Sequence, residues 1–178
     1  MKYFAYGSNM FTYRLEKRVG KVEIIGVCKL PRYCLQFNKV SVDSSLKANI
    51  TTDDNDDVFG VLFEINPNKK DELDKAEGLG KGYRINEIEV EQIETNEKTR
   101  AFTYVAEKID NSNANKPYDW YLQLITIGAE EHNLPEEYVN RIKSVSTKED
   151  NNLFRKDSTE QIVNESKAIK KPDFGVKN

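Results

Sequence analysis

The chain has 178 residues, 38% hydrophobic and 32% charged, enough for one domain with a substantial core and too few for two large ones. A formal net charge of −3 argues against nucleic acid as a partner, and eight Phe with nine Tyr set the chain apart from disordered sequences. No apolar run approaches the roughly 18 residues that span a bilayer, so no membrane partner is expected; the N-terminus opens on a strand pattern in place of a basic, apolar leader, and the expected location is cytoplasmic.

Residues 2–6 read as a short apolar strand and residues 10–18 as a helix, because Met10, Tyr13 or Arg14, and Lys17 recur at helical spacing. Between them Gly7, Ser8 and Asn9 form a polar strand-to-helix turn with exposed amides, the best local candidate for a site. Turns of this composition are common, and Ser8 or Asn9 could equally cap the helix. Residues 22–37 are strand-like, with Pro31 favouring an edge, a bulge or two strands in place of one, and residues 48–52 suggest another short strand. The acidic run Asp53-Asp-Asn-Asp-Asp57 reads as a hairpin turn leading into a buried strand over residues 58–65. Asp53, Asn55, Asp57 and Glu64 stand at the first, third, fifth and twelfth places of a calcium loop, but Val58 replaces the sixth-place glycine and no helices flank it, so no metal is expected.

Asn66-Pro67 starts a helix that Leu73 and Ala76 continue to a stop at Gly78, which makes Glu77 its last residue. Residues 83–93 and 100–106 alternate as paired strands, and a polar loop covers residues 108–116. Pro117 opens a helix carrying Tyr118, Tyr121, Leu122, Leu124, Ile125 and Ala129; Pro135 opens another with Tyr138, Ile142 and Val145. A main domain over residues 1–147 follows. Residues 148–178 read as a charged tail in which Ile162, Val163 and Ile169 suit one amphipathic helix lying on the domain.

Candidate chemistry narrows by elimination. His132, the only histidine, sits at a charged helix end that accommodates it without catalysis. Cys28 and Cys34 lie in strand-like sequence with no adjacent base and read as small packed hydrophobes. The run Gly78-Leu-Gly-Lys-Gly82 lacks the ending and the strand-to-helix placement of a phosphate loop. Glu77 is the acid whose position helps: it ends a helix, at the negative end of the macrodipole, beside poorly solvating Ala76, Gly78 and Leu79, and both effects would raise its pKa. It could equally be a surface acid beside Lys75 and Lys81.

Four segments together resemble the γ-glutamylcyclotransferases (the AIG2-like group): Tyr3-Phe-Ala-Tyr-Gly-Ser-Asn-Met10, Val58-Phe-Gly-Val-Leu-Phe-Glu-Ile65, Leu73-Asp-Lys-Ala-Glu-Gly78 with Tyr83 soon after, and Gly128-Ala-Glu-Glu-His-Asn-Leu-Pro135 with Tyr138. They follow in the family's order and spacing over residues 1–145. The resemblance implies an α+β fold, a small, mostly antiparallel β-barrel with helices packed around it, and an enzyme that closes a γ-glutamyl group into 5-oxoproline while releasing an amine. Carried over by position, it implies Glu77 as the acid/base and Tyr3, Phe4, Ala5, Tyr6, Gly7, Ser8, Asn9, Tyr83 and Tyr121 as substrate-binding residues. It also implies no cofactor, a small γ-glutamyl substrate as partner, and homodimers as a common assembly. Asn9 and Met10 depart from the glutathione-specific relatives, in which leucine and tryptophan follow the turn. Selectivity for γ-glutamylamines, a biosynthetic γ-glutamyl-removing role, and a non-catalytic γ-glutamyl-binding protein are the other readings.

Overall fold

A computed structural model of the chain describes residues 1–112 and 114–170. Five strands close into a barrel. Its frame is the long antiparallel pair β2 (Glu23–Val40) and β3 (Leu46–Glu64), paired from Val40 opposite Leu46 to Glu23 opposite Glu64 with three register shifts between. Strand β1 (Lys2–Ala5) lies antiparallel to β3. Strands β4 (Tyr83–Gln92) and β5 (Lys98–Ala106) form a hairpin joined to β2 at Cys28 and Lys29. One parallel pairing, Tyr3 opposite Phe102, closes the ring. This is the small, mostly antiparallel barrel expected from the sequence.

The acidic run does not make the hairpin turn. Pairing of β2 with β3 passes from Pro31 opposite Asp57 to Tyr33 opposite Thr52, so Asp53 to Asp56 form an excursion within one strand, opposite Arg32 with its left-handed φ of 62°. Proline has no amide proton to donate to a ladder and so marks the break. Arg141 meets the excursion through Asp56, at 2.9 and 3.0 Å. The hairpin turn itself lies at residues 41–45, where Ser41 N donates to Ser45 O. Pro31 thus marks a bulge in a single strand, one of the outcomes that the sequence left open.

Helix starts and stops follow local chemistry. The Asn66 side chain accepts from Asn68 N ahead of a single 3₁₀ turn, and α2 (Lys70–Glu77) ends at Gly78 in the left-handed region. Helix α1 (Thr12–Val19) follows the N-terminal turn, and α3 (Asp119–Glu131) and α4 (Glu136–Lys143) pack outside the barrel. Gly128 in α3 touches that turn so closely that a Cβ would stand 2.3 Å from Phe11 N and 2.7 Å from Met10 Cβ. The helix therefore presses on the turn with bare backbone.

Helix α5 (Leu153–Lys170) packs Val163 against Phe11 and Leu124, and Tyr13 donates to Glu165 at 2.8 Å. Ile169 is largely exposed. Asn113 of the polar loop and residues 171–178 of the expected tail lie outside the described residues. Ahead of α5, the buried Asp150 accepts from Arg155 through two bonds of 2.6 Å and from Trp120 Nε1 at 2.8 Å.

Two outcomes follow. Gly128→Ala should destabilise the protein by about 1–3 kcal/mol through overpacking, read as a lowered urea midpoint; an unchanged midpoint would contradict the close contact. Arg155 hydrogen bonding holds the Asp150 carboxyl well below its ordinary range, so its stabilisation is complete above the unfolded pKa of about 3.9 and is lost as pH falls through the folded value. Fluorescence of Trp120, the only tryptophan, should show an acid loss of stability below about pH 4 that is shallower in Asp150→Asn, and equal slopes would contradict the assignment.

Candidate active site

Strand β1 delivers Tyr3 to the barrel wall, and the chain then leaves it through Tyr6 and Gly7 into the 3₁₀ turn Ser8–Met10. Met10 N donates to Gly7 O at 2.9 Å. The amides of Ser8 and Asn9 precede that bond and have no acceptor within the turn. Gly7 has an ordinary φ of −115°; its use is space. A Cβ there would stand 3.5 Å from Ala48 Cβ and 3.7 Å from the Tyr121 hydroxyl, and Gly7, Ala48 and Tyr121 all line one cavity.

Across from the turn stands Glu77, held by two donors. Asn9 Nδ2 reaches its Oε1 at 2.9 Å and Arg18 Nη1 reaches the same oxygen at 2.6 Å. Arg18 also donates to Asn9 Oδ1 at 2.7 Å, while Asn9 Nδ2 gives a second bond to the Tyr3 hydroxyl at 3.0 Å. These contacts fix which end of the Asn9 amide is which. Both bonds to Glu77 fall on Oε1, and among the described residues Oε2 accepts none.

Tyr3, Tyr6, Gly7, Ser8, Asn9, Glu77, Tyr83 and Tyr121, all singled out from the sequence, line this one cavity with Ala48 and Tyr104. It is narrow, about 30 Å³, room for a water molecule or two. Phe4 and Ala5 are not on its wall. Both side chains are fully buried in the core, where Phe4 packs against Gly60.

The five phenols differ in what they can still offer. Tyr6 gives its proton to Tyr104 O at 2.5 Å, Tyr83 to Ala48 O at 2.7 Å, and Tyr104 to Asp74 at 2.5 Å. Tyr121 accepts from Ala48 N at 3.1 Å and Tyr3 accepts from Asn9, so each keeps its own proton for an incoming acceptor. Burial pushes the Tyr121 phenol up to about 12 and raises the other four as well. All five are neutral donors at physiological pH.

Several cations surround the cavity that the sequence reading did not single out. Arg14 and Arg18 stand four residues apart on α1 and share one helical face; Arg14 Nε donates to Ser8 Oγ at 3.3 Å. Lys47 pairs with Asp43 at 2.7 Å beneath the rings of Trp120 and Tyr121. The paired arginines immediately after the turn were the available sequence signal. His132 stands elsewhere, beside Thr12 and the Phe63 ring, and Cys28 is buried, its thiol raised to about 11 mainly by desolvation.

A family model described as the AIG2-like family matches residues 57–142. Mouse gamma-glutamylcyclotransferase is 31% identical over 153 residues, covering 83% of this chain and 79% of the relative. The human protein of the same name is 31% identical over 149 residues, covering 80% and 77%. A solved structure named gamma-glutamyl cyclotransferase superposes with a TM-score of 0.79 at 25% identity, over 93% of this chain and 98% of the other.

Tyr121→Phe removes the hydroxyl that accepts from the buried Ala48 amide. It should cost about 1–3 kcal/mol of stability in urea unfolding, and a loss within error would mean that Ala48 N finds another acceptor.

Proposed function

Since this chain belongs to the γ-glutamylcyclotransferase family, we propose that it converts a γ-glutamyl amino acid or amide to 5-oxoproline and a free amine, with Glu77 carrying protons and the Gly7–Asn9 turn holding the substrate. The observation that carries this reading is that the Glu77 carboxylate and the turn line one cavity.

The substrate supplies its own nucleophile, so the protein needs to deprotonate, orient and stabilise. Glu77 Oε2 takes a proton from the α-ammonium. The freed nitrogen attacks the γ-carbonyl carbon, a C–N bond forms, and the five-membered ring closes. Negative charge gathers on the carbonyl oxygen, where the amides of Ser8 and Asn9 can meet it without reorganising. The old amide C–N bond then breaks as Glu77 returns the proton to the departing nitrogen. Two protons in all leave the α-nitrogen, which keeps one in the lactam, and both end on the amine, which departs as an ammonium ion.

Asn9 and Arg18 keep Glu77 facing the turn through both transfers, which makes the step a matter of held geometry. Tyr3 and Tyr121 contribute their free hydroxyl protons to substrate oxygens. Gly7 leaves open the space that a methyl group would fill. A cavity so narrow must widen around the substrate, and the α1 side chains Arg14 and Arg18 beside it are only partly buried.

Release of 5-oxoproline from γ-glutamyl-L-alanine tests this directly. Glu77→Gln should keep the fold by circular dichroism yet lower kcat by about 10²- to 10⁴-fold, the usual contribution of a positioned acid/base. Full activity in that variant, or a wild type inactive on a panel of γ-glutamyl amino acids and amines, would overturn the proposal.

A further inference from the structure

Most cations around the cavity have an evident counterpart. Arg18 rests on Glu77 and Lys47 on Asp43, and Lys39 lies 4.7 Å over the Tyr83 ring. Arg14 has none. Its one hydrogen bond among the described residues is the 3.3 Å contact from Nε to the neutral Ser8 hydroxyl, and none of the ion pairs among those residues includes it. Its close charged neighbour on α1 is Arg18, of like sign, and the fields of Glu77 and Tyr121 also reach it.

A half-buried guanidinium with no acid in ion-pair reach gives up hydration that nothing in the protein replaces. Burial first, and Arg18 second, push the Arg14 pKa down to about 10, which still leaves it charged at neutral pH. Four of its five N–H donors make no hydrogen bond within the described residues. Two arginines against the single carboxylate of Glu77 leave this end of the cavity with one uncompensated positive charge. The planar guanidinium fork matches a carboxylate in two-point geometry, and Ser8, already its partner, lies on the cavity wall.

We propose that Arg14 is a substrate-anchoring residue whose outer N–H groups receive a carboxylate of the γ-glutamyl substrate, while Nε stays on Ser8 and steadies the turn against the bound anion. This rests on the cyclotransferase reading above. Two carboxylates share the required chemistry: the α-carboxylate of the glutamyl group and that of a departing amino acid.

Steady-state kinetics on three substrates separates them: γ-glutamyl-L-alanine, γ-glutamyl-L-alaninamide, and the α-carboxamide analogue of γ-glutamyl-L-alanine. Arg14→Met should lower kcat/KM on the first by about 10- to 100-fold, as expected for a charge-assisted hydrogen bond, mainly through KM. The penalty should disappear on the substrate lacking the carboxylate that Arg14 holds: on the alaninamide if it holds the departing end, on the α-carboxamide if it holds the glutamyl end. Arg14→Lys, which keeps the charge and loses the fork, should recover part of the rate on the full substrate, and it carries the same comparison if Arg14→Met fails to fold. Equal penalties on all three substrates, or no penalty, would overturn the role. A wild type inactive on all three would instead overturn the underlying activity.

Discussion

A single asparagine side chain ties the two halves of this site together. Asn9 accepts from Arg18 through Oδ1 and donates through Nδ2 to both Glu77 and Tyr3, so the N-terminal turn and the end of α2, 68 residues apart in sequence, meet in one partly buried network. Networks of this kind favour one arrangement because any member left unpaired away from water is penalised. Everything else follows from delivering those groups to one place. Gly128 lets α3 press on the turn, Gly78 stops α2 immediately after Glu77, and β1 carries Tyr3 into the closed barrel wall.

Around that network, the cavity separates proton-moving groups from fixed donors. Its phenols are held neutral by burial, and three of the five are committed to protein acceptors, so they give shape and a few directed hydrogen bonds without exchanging charge. Charge sits on Glu77 and the α1 arginines, with Lys47 paired to Asp43 and Lys39 over the Tyr83 ring nearby. Size alone would not find this place. A hollow of about 820 Å³ on the β4–β5 face, lined by Ile85, Ile88 and Phe102 among others, is far larger, yet it lacks the pairing of a carboxylate with the strand-to-helix turn.

Local chemistry made much of this legible in sequence. The strand-to-helix turn, the Asn66-Pro67 helix start, the stop at Gly78 and the β4–β5 hairpin rest on neighbouring residues, and the structure has them within a residue or two. Groups assembled from afar were harder to see. Arg18 meets Glu77 across 59 residues and Tyr104 enters the cavity from β5, and nothing in their own neighbourhoods announces it. Phe4 and Ala5 came with the segment that the resemblance carries over, and their side chains pack in the core. The acidic run misled for a different reason. Polar residues in sequence signal a turn, whereas here two well-paired halves of β3 carry them as an excursion.

The account stands on Glu77 and the turn amides acting on opposite sides of one reacting carbonyl. A crystal structure with 5-oxoproline bound tests this most directly. The account predicts the lactam nitrogen within hydrogen-bond distance of Glu77 Oε2, with the ring carbonyl oxygen facing the amides of Ser8 and Asn9. A product seated with its nitrogen away from Glu77, or bound in the β4–β5 hollow, would contradict it.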